Sequence, residues 1–223
     1  MRAQPKNRPD RKPDKRRREE PLLAPDGSGL QKTYYTGVLL GPSGSGKTTF
    51  AEQIAHYYVR LGGRAWAIDP NGAWVDSPDV KSLWPSDGDA GIEDLMNASA
   101  KWPPGLIIGD DADRYVGPHP TMPVKIYITS NRHIAKDQLW ISRRPQGIPK
   151  DLFGVMHFVA LFPGALMEPG ARKYLEETFP DEILDAVPME PFHYLLIQRE
   201  GARWRYSRRK TTARKITTKS DKT

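Results

Sequence analysis

None of the 223 residues is cysteine, which excludes disulfides and thiolate metal sites and fits a reducing compartment. No apolar run approaches the roughly 18 residues that a membrane-spanning helix needs. The first residues are rich in arginine, lysine and proline with no apolar segment behind them, unlike a secretory signal. The sequence also shows no internal repeat. These absences predict a soluble protein of the cytoplasm.

What charge is present is unevenly placed. The net charge is +7, yet residues 1–20 carry nine Lys/Arg against four Asp/Glu and residues 203–223 carry nine against one. The stretch between them is therefore acidic, at −6. Basic ends of this kind can grip a polyanion by releasing its counterions, or simply keep a chain solvated. Residues 1–28 alternate charge with Pro5, Pro9, Pro13, Pro21 and Pro25. They bury too little to offset ordering entropy and are read as a disordered arm. Residues 29–202 are long enough for one α/β domain with a proper core, and residues 203–223 form a basic strand and tail.

The most informative segment is Gly41-Pro42-Ser43-Gly44-Ser45-Gly46-Lys47-Thr48, followed by Thr49. Glycines at 41, 44 and 46 let the backbone curl so that its N–H groups point inward at phosphate oxygens. Lys47 can reach β- and γ-phosphates, and the Thr48 hydroxyl can sit on Mg²⁺. An apolar strand before the loop and a helix over Thr49–Leu61 behind it supply the context, the helix start adding a positive field at the anion. A bare glycine-rich turn is the alternative. The pattern predicts a P-loop that binds ATP with Mg²⁺.

Strands are expected at Thr36–Leu40, Arg64–Ile68, Gly105–Gly109, Gln138–Ser142 and His157–Phe162, with helical or irregular connections between them. That alternation predicts an α/β fold with a mostly parallel central sheet covered by helices on both faces. Phe192–Arg199 and Arg203–Arg208 are expected to close the fold as a hairpin, and Lys173–Phe179 to lie in a helix. The strand Leu106–Gly109 ends in Asp110 and Asp111. Asp110 is placed to hold Mg²⁺ and Asp111 to orient and deprotonate an attacking water, with Asp113 competing for either role. For Asp110 and Asp111, acids capping the next helix are the alternative. Asp69-Pro70-Asn71-Gly72 reads on its own as a turn after a strand. Asn131-Arg132-His133, and the strand that ends at Arg143-Arg144-Pro145, suggest γ-phosphate sensing and an arginine finger, because a guanidinium fork stays charged and spans several phosphate oxygens. Surface arginines are the alternative.

These four segments, in this order, resemble the FtsK–HerA superfamily of P-loop DNA-pumping ATPases, across roughly Thr36–Asp181. Two positions depart from its pattern: Arg143 stands where Gln is usual, and Asp111 where many P-loop ATPases place Glu. Val124–Ser130 has the β-branched content of a strand, whereas the family pattern puts a helix there. The resemblance implies a RecA/ASCE-like P-loop NTPase, with Arg132 as a finger acting on a neighbouring subunit and Arg143 or Arg144 reading the γ-phosphate. A bare motor domain with basic ends is most similar to the genome-packaging ATPases of tailless, membrane-containing viruses. This implies a homo-oligomeric ring that hydrolyses ATP and moves double-stranded DNA, with a capsid portal-vertex protein as a further partner. Placement in the host cytoplasm or on the virion goes with it. A filamentous-phage-type export ATPase and a small-molecule P-loop kinase are the alternatives. The aromatics of Arg203-Trp204-Arg205-Tyr206 are read as core-facing residues of the hairpin, its cations as DNA contacts.

Overall fold

Strand β1 (Thr36–Leu40) is buried at all five positions, and its sequence explains why. Val38 and Leu40 join one apolar layer while Leu39 joins the other, the period-two alternation of a strand covered on both faces. The computed structural model describes residues 34–211. The arm expected over 1–28 and the tail from residue 212 onward lie outside the described residues.

After β1 come α1 (Lys47–Arg60), β2 (Ala65–Ile68), β3 (Val80–Leu83), α2 (Ile92–Ala100), β4 (Gly105–Gly109), α3 (Met122–Thr129) and β5 (Lys136–Ser142). They are followed by α4 (Lys150–Val155), β6 (Phe158–Leu161), α5 (Ala171–Glu176), α6 (Asp181–Leu184), β7 (His193–Glu200) and β8 (Arg203–Lys210). All eight strands form one sheet in the order β3-β2-β4-β5-β1-β6-β7-β8. The strands from β3 to β6 pair in parallel, and β7 and β8 add an antiparallel edge.

One layer is α1 with Trp74, packing Phe50, Ala51, Ile54, Ala55 and Tyr58 onto Leu39, Leu106, Ile108 and Ile141. The opposite layer is built by α2 to α6 around Trp140, Val159 and Leu161. Both faces are thus covered, as expected. Helix α3 settles the ambiguous segment. Pro123 lies in its first turn, where a fixed φ suits a helix, and Val124, Tyr127 and Ile128 bury one 3.6-period stripe. Packing of that stripe outweighs the strand propensity of its β-branched residues.

Strand β3 was not expected from sequence. It is four residues long at the sheet edge, with only Val80 fully buried, so it carries no alternating signal. At the other edge Trp204 packs edge-on against Phe179 at 5.1 Å, whereas Tyr206 is exposed. Cations crowd β8, which blunts an otherwise pairable edge. Among the described residues no helix is long and apolar enough to cross a membrane.

Candidate active site

The glycine loop follows β1 directly. Gly44 and Gly46 have φ of 76° and 101°, the left-handed region that glycine enters without penalty. A Cβ on Gly41 would stand 2.8 Å from Phe162 Cβ, so only glycine fits there. Helix α1 begins at Lys47 without a side-chain cap, which leaves its first N–H groups directed at the loop. Thr48 and Thr49 occupy its first turn, and Pro42 and Ser43 form the exposed tip. Lys47 is buried, and its Nζ donates to the Pro42 carbonyl at 2.8 Å. Burial lowers the Lys47 pKa, opposed by the negative field of Asp111, Asp110 and Asp113. The Ser45 hydroxyl oxygen is buried without a hydrogen-bond partner. Open N–H groups, a buried cation and an unpaired hydroxyl are features that an anionic phosphate would satisfy.

Strand β5 lies between β1 and β4, so the acids after β4 sit across one strand from the loop. Asp110 is buried; its Oδ2 accepts from Trp74 Nε1 at 2.8 Å and its Oδ1 from the Asp111 N–H at 3.0 Å. Burial raises its pKa, and the Trp74 bond opposes that rise. Asp111 has φ of 45°, uncommon outside glycine. Its Oδ2 accepts from the Asn71 amide, and Arg143 Nε lies 3.5 Å from its Oδ1. Asp113 is committed differently: its Oδ1 accepts from the Arg143 backbone N–H at 3.3 Å. It therefore steadies the turn that carries Arg143. Gly109, just before the acids, has no room for a side chain, since a Cβ would meet Trp140 at 2.3 Å.

Sequence reasoning missed two residues. Asn71 and Trp74 belong to the turn after β2, which looked merely like a turn. Asp69 organises it, accepting from the N–H groups of Ala73 and Trp74 and from the Ser82 hydroxyl at 2.8–2.9 Å. Because β2 pairs with β4, that turn delivers Asn71 to Asp111 and the Trp74 indole to Asp110. The available signal was a strand ending in Asp-Pro beside a strand ending in paired acids, usable only once the two strands are known to be neighbours.

The three arginines separate. Arg143 joins Asp111 and Asp113 and lies close enough to Lys47 to oppose its proton. Arg144 turns away to Glu168 at 3.4 Å and is largely exposed. Arg132 lies at the opposite edge of the sheet, where β5 and β6 begin, roughly 15–20 Å from its own loop at 3.3 Å per strand residue. There a cavity of about 350 Å³ is lined by Asn131, Arg132, His133, His157 and Arg199, among others.

His157 accepts the Thr36 N–H at Nδ1, 3.0 Å away, so its neutral ring carries the proton on Nε2. Burial lowers its pKa, and Arg132 and Arg199 push it further down. The unfolded chain therefore takes up this proton first as pH falls below about 6.5. Stability contributed by the neutral ring is full above that pH and is lost on descent through the lower folded value. Thermal melting from pH 7.5 to 5 should show a steeper acid loss for the wild type than for His157→Gln, which keeps an acceptor for Thr36.

Asp110 and Thr48 are the residues that could hold a Mg²⁺ shared with phosphates. Among the described residues no group of three or more His, Cys, Asp or Glu side chains is arranged to hold a metal ion, so phosphate and water would supply most ligands, as Mg²⁺ commonly arranges.

Several solved structures resemble this one in fold. The genome packaging NTPase B204 of Sulfolobus turreted icosahedral virus 2, in complex with AMPPCP, matches with a TM-score of 0.63 and 15% identity, over 78% of this chain and 96% of that one. B204 of Sulfolobus Turreted Icosahedral Virus, a DNA-packaging ATPase, gives 0.64 at 14%, over 77% and 96%. The chain has the P-loop NTPase fold. The pCW3 conjugation coupling protein TcpA, with ATPγS, is similar at a TM-score of 0.58 and 12% identity, over 79% of this chain and 60% of that one. At such identities the likeness is one of fold. No known family model matches the sequence, and no curated protein matches it.

Proposed function

We propose that this P-loop protein is an ATP-hydrolysing DNA translocase, acting as a ring of identical subunits that packages double-stranded viral DNA into a preformed capsid. The observation that carries the hydrolytic part is the pairing of Asp111, after β4, with Arg143, after β5, both close enough to Lys47 to act on its charge. A carboxylate and a guanidinium beside a phosphate loop support a γ-phosphate reading of that end of the site. The packaging part draws support from the likeness to B204, which extends over 96% of that protein's length.

In this proposal the loop N–H groups, Ser45 and Lys47 hold the triphosphate. Thr48 and Asp110 would hold Mg²⁺, which would supply positive charge against the triphosphate. Asn71 orients Asp111, which takes the proton of the water that attacks the γ-phosphorus as the bond to the β-bridging oxygen breaks. Arg143 reads the γ-phosphate in its own subunit. Arg144, paired to Glu168, stands in reserve beside it. Arg132 of one subunit reaches the site of the next. The cations of β8 and of the chain ends contact DNA phosphates, and a portal-vertex protein seats the ring.

The decisive experiment is ATP turnover with and without double-stranded DNA at two salt concentrations, beside Lys47→Ala. DNA should stimulate turnover, and salt should weaken that stimulation steeply because phosphate contacts release counterions. Lys47→Ala should show no turnover in either condition. Turnover indifferent to DNA would overturn the translocase and leave an NTPase of another kind.

A further inference from the structure

Phe192 immediately precedes β7 with φ of 62°, a backbone that a bulky aromatic residue rarely adopts. The surroundings hold it there. Its carbonyl accepts from both the N–H and the hydroxyl of Thr211, at 2.8 and 2.7 Å. The ring is not committed to the core, being 45% exposed. Its neighbour is the phosphate loop. A Cβ built on Gly46 would lie 3.6 Å from Phe192 Cδ1 and 3.7 Å from Thr211 Oγ1. Backbone strain maintained around an exposed side chain beside a reactive loop is typical of a functional position.

The orientation of a bound nucleotide follows from the site. Asp110, Asp111 and Arg143 lie on the β4–β5 side of β1 and mark the γ-phosphate end. A triphosphate laid across the loop must then carry its sugar and base out on the other side of β1, toward β6 and β7. Phe192 is on that side and at the same edge, since β7 runs antiparallel to β6 and starts near where β6 ends, Leu195 opposite Leu161.

We infer that Phe192 is the platform on which the nucleobase stacks. The inference rests on the nucleotide reading of the loop. The strained φ serves to turn the ring out of the sheet and over Gly46. Thr211 is a positioning residue that fixes the backbone of Phe192.

The test compares two ligands on the full chain, ATP and inorganic tripolyphosphate, each with magnesium and measured by calorimetry. Tripolyphosphate offers the loop its phosphates without a base. Phe192→Ala and Phe192→Gly should weaken ATP binding by about 5- to 150-fold, the range for losing one base–aromatic stack, and leave tripolyphosphate unchanged. Phe192→Tyr should retain ATP affinity. Glycine accepts φ of 62° without strain, so Phe192→Gly should melt above Phe192→Ala, which separates lost stacking from lost folding. Equal weakening of both ligands, or unchanged ATP binding, would overturn the platform while leaving the phosphate loop intact. A wild-type chain that binds neither ligand would overturn the nucleotide reading itself.

Discussion

Asp111→Asn is expected to bind ATP nearly as well as the wild type and to turn it over about 10²- to 10⁴-fold more slowly, the range for removing a general base. The substitution preserves shape. The Asn side-chain oxygen still accepts from the Asn71 amide, which meets Oδ2 in the wild type, so the left-handed turn at residue 111 keeps its support. What is lost is the carboxylate proposed to take the proton from water. Arg143 loses a partner at 3.5 Å, but it keeps Asp113, so the sensing arm stays near the site. Single-turnover phosphate release, read beside equilibrium ATP binding, separates these effects. Asp113→Asn is the control: its carboxylate serves the Arg143 backbone, and it should lose far less. The reverse order, with slow Asp113→Asn and normal Asp111→Asn, would exchange the two roles.

Arg132→Ala is expected to lower turnover of the assembled ring by about 10³- to 10⁵-fold, the magnitude of an arginine finger, without changing the ATP affinity of a single subunit. The separation within the fold is the reason. Arg132 sits where β5 and β6 begin, and the loop sits where β1 ends, so the arginine cannot touch its own subunit's phosphates. In the proposed ring it would serve a site presented by a neighbour, as head-to-tail packing in a closed ring provides. Complementation tests this directly. Arg132→Ala and Lys47→Ala subunits should each be inactive alone, yet an equal mixture should regain activity wherever an intact loop meets an intact finger. Random mixing of independent sites would restore about a quarter of them. No restoration above the parents would overturn the action in trans.

Local chemistry made half of the site legible. The loop, its strand and its helix are consecutive, so spacing and glycine content sufficed, and the acids after β4 were readable for the same reason. Residues whose role depends on which strands are neighbours were not. Asn71 and Trp74 reach the acids because β2 pairs with β4, and Phe192 reaches the loop because β7 returns antiparallel to its edge. The two arginines after β5 looked equivalent in sequence. Only the fold directs one to Asp111 and the other to Glu168. Among the elements, β3 was hidden by its shortness and by an exposed edge that imposes no alternation. Helix α3 was legible only through family likeness, because its composition argues for a strand while its buried stripe argues for a helix.

Strand β5 is buried at all seven positions, and its polar side chains are tied down. Lys136 donates to the Trp102 and Ile134 carbonyls, Asp137 accepts from Tyr35 and Tyr58, and Gln138 donates to Tyr127. It is a stiff tie rod about 20 Å long, with Arg143 just past one end and Arg132 four residues before the other. Were this close-packed strand to shift as one piece when phosphate departs, a movement of Arg143 would be carried to the turn that holds Arg132. Within the proposed ring, the firing order of adjacent subunits would then be set by a mechanical linkage inside each one.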